Sequence, residues 1–463
     1  MDPRELVGLG GLIALVLLIL LRLPVILAMM LVGIGGNFAL SIVAPFLRFE
    51  PVLKQFKSLL WETVASYDLV VIPLFVLMGY AAAYAGLSRD LFGGVRVLVG
   101  RLRGGLAMSA IVGCAGFGAV CGSSVATASA MGQIALPELT RARYAPGFSA
   151  GVLAAGGTLG ILIPPSVALV IYAIVVEASI MDLFQAALIP GVIAVILFML
   201  VIRLYVWARP EAAPPVPAIE AAERRLLLRR FLPVAAIFGG IILGLGIGLF
   251  PPTPAAGVGA MVVILYGLLR RPGADGSRLR LPQLRRALQE TAMTSAMIYG
   301  LLFGGAVLSG FFARSGLPMM LADWAGTTTM APYAVLALCL LGLILMGCFL
   351  ESLSMILVVV PFLWPVLMTI NGGEWVSADQ AAFGLEADQL KLWFGILTLI
   401  VVELGLITPP LGINVFIISS LTPKTPMSSI FAGTGIFFAA EIARVMILIA
   451  LPWLVLWLPT ILT

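Results

Sequence analysis

Histidine is missing from all 463 residues, and cysteine occurs only at Cys114, Cys121, Cys339 and Cys348, each inside an apolar block. The first absence removes His-based acid–base catalysis and His-containing metal sites. Thiols so placed give no disulfide framework. Lysine is scarce too: none of the four follows a glycine, so there is no GxxxxGK phosphate loop and no ATP hydrolysis by that route. Charge of either sign is thin, at 11% of residues against roughly 25% in an ordinary soluble domain. What fills the chain instead is apolar: 61% hydrophobic residues and a mean hydropathy of +1.14. Apolar blocks recur at or above the ~20 residues a helix needs to cross hydrocarbon, whereas a barrel would show ~10-residue alternating segments. The expectation is an all-α polytopic membrane protein. The start, MDPREL, has no basic n-region or cleavage site, so the first block is expected to stay as a span. The net charge of +5 reads as basic loops on one side of a bilayer, not as a nucleic-acid surface.

Simple spans are expected at about 6–21, 24–47, 69–86, 186–207, 231–250, 253–270, 291–313 and 430–460. Four blocks depart from that pattern. Gly105 to Leu136 and Pro332 to Ile370 are too long for one span and too short for two, and polar clusters interrupt them: CGSSVA at Cys121 to Ala126, LESLS at Leu350 to Ser354. Both lengths suit a re-entrant hairpin. Gly147 to Ala178 and Leu392 to Leu421 carry Pro164-Pro165 and Pro409-Pro410 in mid-block, with Gly160 and Gly405 four residues before. Proline inside a helix removes a donor and costs about 3 kcal/mol, and in a bilayer the freed carbonyls survive only in protein or beside a polar cavity. Hairpin then broken helix thus occurs twice, the arrangement that marks a transporter site between two halves.

Charge placement gives the orientation. Arg203 to Arg230 and Arg270 to Arg286 are the most basic segments and face the cytoplasm, with a turn at Pro251 to Pro254 between two spans. Walking both ways from them, the first hairpin opens from the inside and the second from the outside, so the halves are inverted. The loop Asn371 to Leu390, with Glu374, Asp379, Glu386 and Asp388 and no Lys or Arg, then lies outside. Arg48, Lys54 and Lys57 fit poorly, since they also fall outside. The units are residues 1–104 (scaffold), 105–178 (first hairpin and broken helix), 179–330 (connecting scaffold), 331–421 (second hairpin and broken helix) and 422–463 (a C-terminal membrane helix).

Half-helix N-termini suit a carboxylate, while unwound carbonyls and hydroxyls suit sodium. The polar groups at the breaks are Ser123, Ser124, Thr127, Thr158 and Ser166 in the first half, and Ser352, Ser354, Thr408 and Asn414 in the second. Glu351 and Glu403 are acids in apolar blocks, either ion-linked or structural. Arg444 could neutralise one of them, or Glu441 one turn away. The reading favours a structural Glu441–Arg444 pair.

At these motifs the chain resembles the large membrane (DctM-like) subunit of tripartite ATP-independent periplasmic (TRAP) transporters. The matching words are IPLFVLMGYAAAYAGL (Ile72 to Leu87), GRLRGGLAMSAIV (Gly100 to Val112), GSSVATASAMGQIALPEL (Gly122 to Leu139), LGILIPPSVALVIYAIV (Leu159 to Val175), LFQAALIPG (Leu183 to Gly191) and ITPPLGINVFII (Ile407 to Ile418). The resemblance covers nearly the whole chain. It implies an elevator-type, sodium-coupled importer of an organic acid in a bacterial inner membrane, not an enzyme, with no cofactor beyond coupling sodium ions. It also implies two partners, a periplasmic substrate-binding protein and a small four-helix (DctQ-like) membrane subunit. The family's ion and substrate regions fall on Gly122, Ser123, Ser124 and Thr127; on Gly160, Pro164, Pro165 and Ser166; on Glu351, Ser352 and Ser354; and on Gly405, Thr408, Pro409, Pro410, Gly412 and Asn414. Sodium is expected near Ser123, Ser124, Gly160, Gly405 and Thr408. The Glu351-Ser352 tip departs from the Gly-Ser-Ser of the first half. A stand-alone ion-coupled organic-anion transporter and, more distantly, an integral membrane enzyme are the alternatives.

Overall fold

Glycine and proline set most helix ends in this chain. Gly104 and Gly122 adopt left-handed backbone at the two ends of one helix, and Gly316 does so between two others. The computed structural model describes residues 2–217, 219–270 and 278–462, and all regular structure among them is helical. In order these are α1 (Pro3–Leu20), α2 (Val25–Val43), α3 (Glu50–Ala65), α4 (Val71–Tyr84) and α5 (Leu87–Val99). The first hairpin is α6 (Gly105–Cys121) and α7 (Ser124–Arg141), and the first broken helix is α8 (Pro146–Leu162) and α9 (Val167–Val175). Next come α10 (Ile180–Ala208), α11 (Ala221–Gly246), α12 (Pro252–Leu269), α13 (Leu281–Ser315) and α14 (Leu317–Thr327). The second hairpin is α15 (Pro332–Gly347) and α16 (Ser352–Asn371), and the second broken helix is α17 (Ala387–Gly405) and α18 (Ile413–Leu421), followed by α19 (Met427–Ala450) and α20 (Trp453–Leu462). Eight helices are long and apolar enough to cross a bilayer, or up to ten with each bent pair taken as one span.

Several boundaries differ from the sequence expectation. The 430–460 block is two helices, parted at Leu451-Pro452, because proline cannot continue α19. The span expected at 291–313 is the membrane part of a 35-residue helix, α13, which begins ten residues earlier. Helices α3, α5 and α14 were not expected. α3 carries two of the ill-fitting charges, Lys54 and Lys57, on an exposed amphipathic helix, where Lys54 pairs with Glu50 at 2.7 Å; Arg48 lies just before it. The hairpin breaks are tighter than the polar clusters: Gly122-Ser123 in the first, Cys348 to Glu351 in the second. Part of the second basic segment, residues 271–277, lies outside the described residues.

Two sets of contacts position the centre of the molecule. α13 packs on α2 and α4, α12 on α4, and α11 on α5. In the other set each broken helix straddles the two hairpins. The first half of each packs on its own hairpin, α8 on α6 and α7, α17 on α15 and α16. The second half packs on the return arm of the other hairpin, α9 on α16 and α18 on α7. The breaks therefore hold the hairpins together.

Glycine permits the closest of these approaches. A Cβ on Gly118 would lie 2.3 Å from the Gly160 Cα, and one on Gly405 would lie 2.5 Å from the Gly347 carbonyl carbon. In each half, then, a hairpin glycine meets the broken-helix glycine four residues before the proline pair. The last-span pair also forms: Arg444 bonds Glu441 and donates to the Pro190 carbonyl at 3.1 Å, fastening α19 to α10.

Candidate functional site

Both hairpins turn where a helix must start, so both return arms aim an N-terminus at the turn. In the first, Ser123 is the N-cap of α7, its hydroxyl accepting from the Ala126 amide at 3.4 Å, and Ser124 is the first helical residue. In the second, Glu351 is the N-cap of α16 and Ser352 the first helical residue. The broken helices restart similarly. Ser166 caps α9, accepting from Leu169, and left-handed Gly412 precedes α18. The residue before a proline is held extended, and Ile163 sits at φ −89°, ψ 121° as α8 ends.

A cavity of about 230 Å³ lies between the hairpin tips and the α4–α13 wall. From the first tip it is lined by Cys121, Gly122, Ser123 and Ser124, from the second by Glu351 and Ser352, and from the breaks by Ile161, Val167 and Leu406. The opposite wall contributes Tyr80 and Thr294, whose hydroxyls are 2.9 Å apart, and one turn away Tyr84 donates to Glu290 at 2.5 Å. No lysine or arginine lines the cavity among the described residues.

Behind the tips sits Glu403, 4% exposed, on the first half of the second broken helix. One carboxyl oxygen accepts from the Ser124 hydroxyl, the other from the Ser352 hydroxyl at 2.7 Å. A single side chain therefore bridges both tips. Glu351, by contrast, has no ion-pair partner among the described residues and borders the cavity.

The expected site residues divide into two groups. Gly122, Ser123, Ser124, Glu351 and Ser352 meet at the cavity wall. Thr127, Gly160, Pro164, Pro165, Ser166, Ser354, Gly405, Thr408, Pro409, Pro410, Gly412 and Asn414 stand outside its lining, around the breaks. Of the hydroxyls, Thr158 donates to Ala155 at 2.6 Å within α8, and Thr408, in the break, donates back to Leu404 in the last turn of α17 at 2.5 Å. Three oxygens behind the lining are different. Thr127 Oγ1, Ser354 Oγ and Asn414 Oδ1 are buried without a hydrogen-bond partner among the described residues, a condition that costs about 1–3 kcal/mol each. Thr127 Oγ1 also borders a cradle: a Cβ on Gly160 would come within 2.6 Å of it and 3.2 Å of the Ser123 carbonyl oxygen. Unpaired hydroxyl and amide oxygens, with the Ser123 carbonyl that already accepts from the Thr127 amide, are hard, neutral donors of the kind a sodium ion takes. These residues fit such an ion. No cluster of three or more His, Cys, Asp or Glu able to hold a metal occurs among the described residues.

Glu403 was left open by the sequence, and Tyr80 and Thr294 were missed. A usable signal was present, because Tyr80/Tyr84 and Glu290/Thr294 each place polar groups four apart, on one face of an apolar helix.

Against known proteins, residues 12–454 match the family described as tripartite ATP-independent periplasmic transporter, DctM component. The chain belongs to the DctM family, the large membrane subunit of TRAP transporters. Among its relatives, the C4-dicarboxylate TRAP transporter large permease protein DctM of Pseudomonas aeruginosa is 31% identical over 83% of this chain and 85% of the relative. The sialic acid TRAP transporter large permease protein SiaM of Vibrio cholerae is 31% identical over 77% of this chain and 78% of its own. The ectoine/5-hydroxyectoine large permease protein UehC of Ruegeria pomeroyi is 27% identical over 96% and 97%. A solved structure, the Alcanivorax borkumensis YdaH transporter, described as having an unusual topology, has a similar fold. Its TM-score is 0.62 at 15% identity, over 92% of this chain and 97% of that one. This DctM protein is a transporter subunit, not an enzyme, and a multi-pass protein of the bacterial inner membrane. It serves secondary transport of organic acids that depends on a substrate-binding protein, and its family implies a small membrane subunit as second partner.

Proposed function

We propose that this DctM protein takes up a small carboxylate together with sodium ions, at the cavity between the hairpin tips, by an elevator movement of the hairpin unit along the α4–α13 wall. The observation that supports it is the charge balance of the cavity. A carboxylate there would meet two helix N-termini, Glu351 at the wall and Glu403 behind it, with no lysine or arginine in the lining. Helix N-termini contribute only about half a unit charge each, so an anion beside these acids needs a mobile cation. The partnerless oxygens of Thr127, Ser354 and Asn414 are the donors for it. The substrates for which the relatives are named, C4-dicarboxylates, sialic acid and ectoine, support the carboxylate class without selecting a member.

The test is uptake into proteoliposomes holding this chain and its small subunit, with the cognate binding protein outside. Uptake is expected only with an inward sodium gradient and only with the binding protein. Undiminished uptake with sodium absent from both sides would sink sodium coupling and turn attention to proton coupling through Glu351 or Glu403. Uptake without any binding protein would favour the stand-alone transporter.

The inverted orientation has its own test. Cysteines placed at the exposed positions Ala382 and Ala222 are expected to react in intact spheroplasts with a membrane-impermeant maleimide only at position 382, in the periplasm. Of the native thiols, Cys114, Cys339 and Cys348 are buried; Cys121, which lines the cavity, is replaced by alanine in the labelling background. Labelling at 222 alone would overturn the assignment.

A further inference from the structure

We propose that Glu403 is a positioning residue that ties the two hairpin tips together, so that sodium capture at one tip raises affinity at the other. The inference rests on the sodium-coupled reading above.

The geometry that carries it is long-range and two-sided. Ser124 and Glu403 are 279 residues apart, Ser352 and Glu403 are 51 apart, and both serines are the first helical residues of return arms. Each serine hydroxyl donates its one proton to a different oxygen of the same carboxyl group. That fixes both rotors and leaves each serine oxygen's lone pairs facing away from Glu403. The carboxyl group itself has no lysine or arginine partner among the described residues. Arg444 is engaged by Glu441, and what faces Glu403 instead is the start of α7 and of α16. Two N-termini and two hydroxyls around one acid make a closed polar knot in an otherwise apolar interior.

Position in the two halves argues for a specific device over a general packing feature. Glu403 stands six residues before Pro409, and Thr158 stands six before Pro164. Thr158 donates within its own helix and reaches neither tip. Only the second broken helix therefore supplies the tie, and it does so two residues before Gly405, where it touches the α15 backbone at Gly347. Any shift of α17 at that contact moves Glu403, and with it both serines.

The experiment is a sodium titration of binding-protein-dependent uptake in proteoliposomes, for wild type, Glu403→Ala, Glu403→Gln and the pair Ser124→Ala/Ser352→Ala. Wild type is expected to respond sigmoidally to sodium. Glu403→Ala, which removes both serine hydrogen bonds, should raise half-saturating sodium about tenfold, a coupling of about 1.4 kcal/mol, and flatten the curve to a hyperbola. The serine pair should reproduce that curve with Glu403 intact, and adding Glu403→Ala to it should change nothing further. Glu403→Gln keeps the volume and one acceptor and should fall between. If Glu403→Ala fails to fold, the serine pair and Glu403→Gln carry the test. An unchanged curve with a lowered melting temperature would make Glu403 merely structural and overturn the proposal, leaving sodium coupling intact. A shift that keeps the sigmoid would overturn it equally. A wild type indifferent to sodium would remove the underlying reading and this inference with it.

Discussion

Replacing Pro164-Pro165 or Pro409-Pro410 with Ala-Ala is expected to lower uptake about 100-fold or more while the protein still inserts and folds. The magnitude is that of displacing binding groups by about an ångström. Between Leu162 and Val167 the chain leaves α8, runs through both prolines, and restarts α9 with Ser166 as its cap. Alanine has the highest helix propensity, and without the prolines nothing forbids α8 from continuing. Continuation would satisfy the open carbonyls of α8 with the next turn's amides and absorb the N-terminus of α9. It would also rotate α9 away from α16, the return arm of the other hairpin. At Pro409-Pro410 the same closure would carry α18 and Asn414, which donates to the Ala154 carbonyl, away from α7 and α8. Pro251-Pro252 is the control. It caps and begins α12, where a missing amide proton is no loss, and Ala-Ala there should keep uptake within about twofold. Uptake and detergent melting curves for the three double variants check this. Equal transport by all three would reduce the breaks to kinks.

A single methyl group should be nearly as damaging at the two glycine contacts. Gly405→Ala would place a Cβ 2.5 Å from the carbonyl carbon and 2.6 Å from the Cα of Gly347, and Gly118→Ala would place one 2.3 Å from the Cα of Gly160. The atoms met are backbone, which cannot turn aside as a side chain does, so α15 and α17, or α6 and α8, must separate. Overpacking of this kind is expected to destabilise by about 1–3 kcal/mol and to reduce uptake by about tenfold or more, because the displaced arms carry the tips. Gly342, on α15 five residues before Gly347, has nothing within 4 Å of its Cβ position. Gly342→Ala should leave uptake unchanged and, by helix propensity, raise stability by about 0.5–1 kcal/mol. Melting and uptake of the three single variants check the contrast. A Gly405→Ala protein that behaves like Gly342→Ala would mean the halves tolerate a looser fit than the contacts imply.

How much of this was legible depended on whether the signal was local. Proline pairs in apolar blocks are local, and they mark where α8 and α17 end. Polar clusters at 121–126 and 350–354 located both hairpin turns to within a few residues. Amphipathic α3 and α5 were hidden from a search for apolar blocks, since charged residues interrupt their apolar positions. The bend at Leu451 needed only Pro452, but an unbroken apolar run hid it. Thr158 and Thr408 looked like ligands by position, yet one donates within α8 and the other back to the last turn of α17, which sequence cannot distinguish. Tyr80 with Thr294, and Ser124 with Glu403, are pairs more than 200 residues apart. Only the packing of α4 on α13, of the second hairpin on α17, and of α8 on both α17 and the first hairpin brings them together.

The most direct test of the central claim is paired flux. Radiolabelled sodium and the substrate loaded on its binding protein are followed together into proteoliposomes held at zero membrane potential. The expected result is sodium entry that begins only when loaded binding protein is added, keeps a fixed ratio to substrate entry, and disappears in the Pro164-Pro165 and Pro409-Pro410 variants. Substrate entering at the wild-type rate with no accompanying sodium would contradict it.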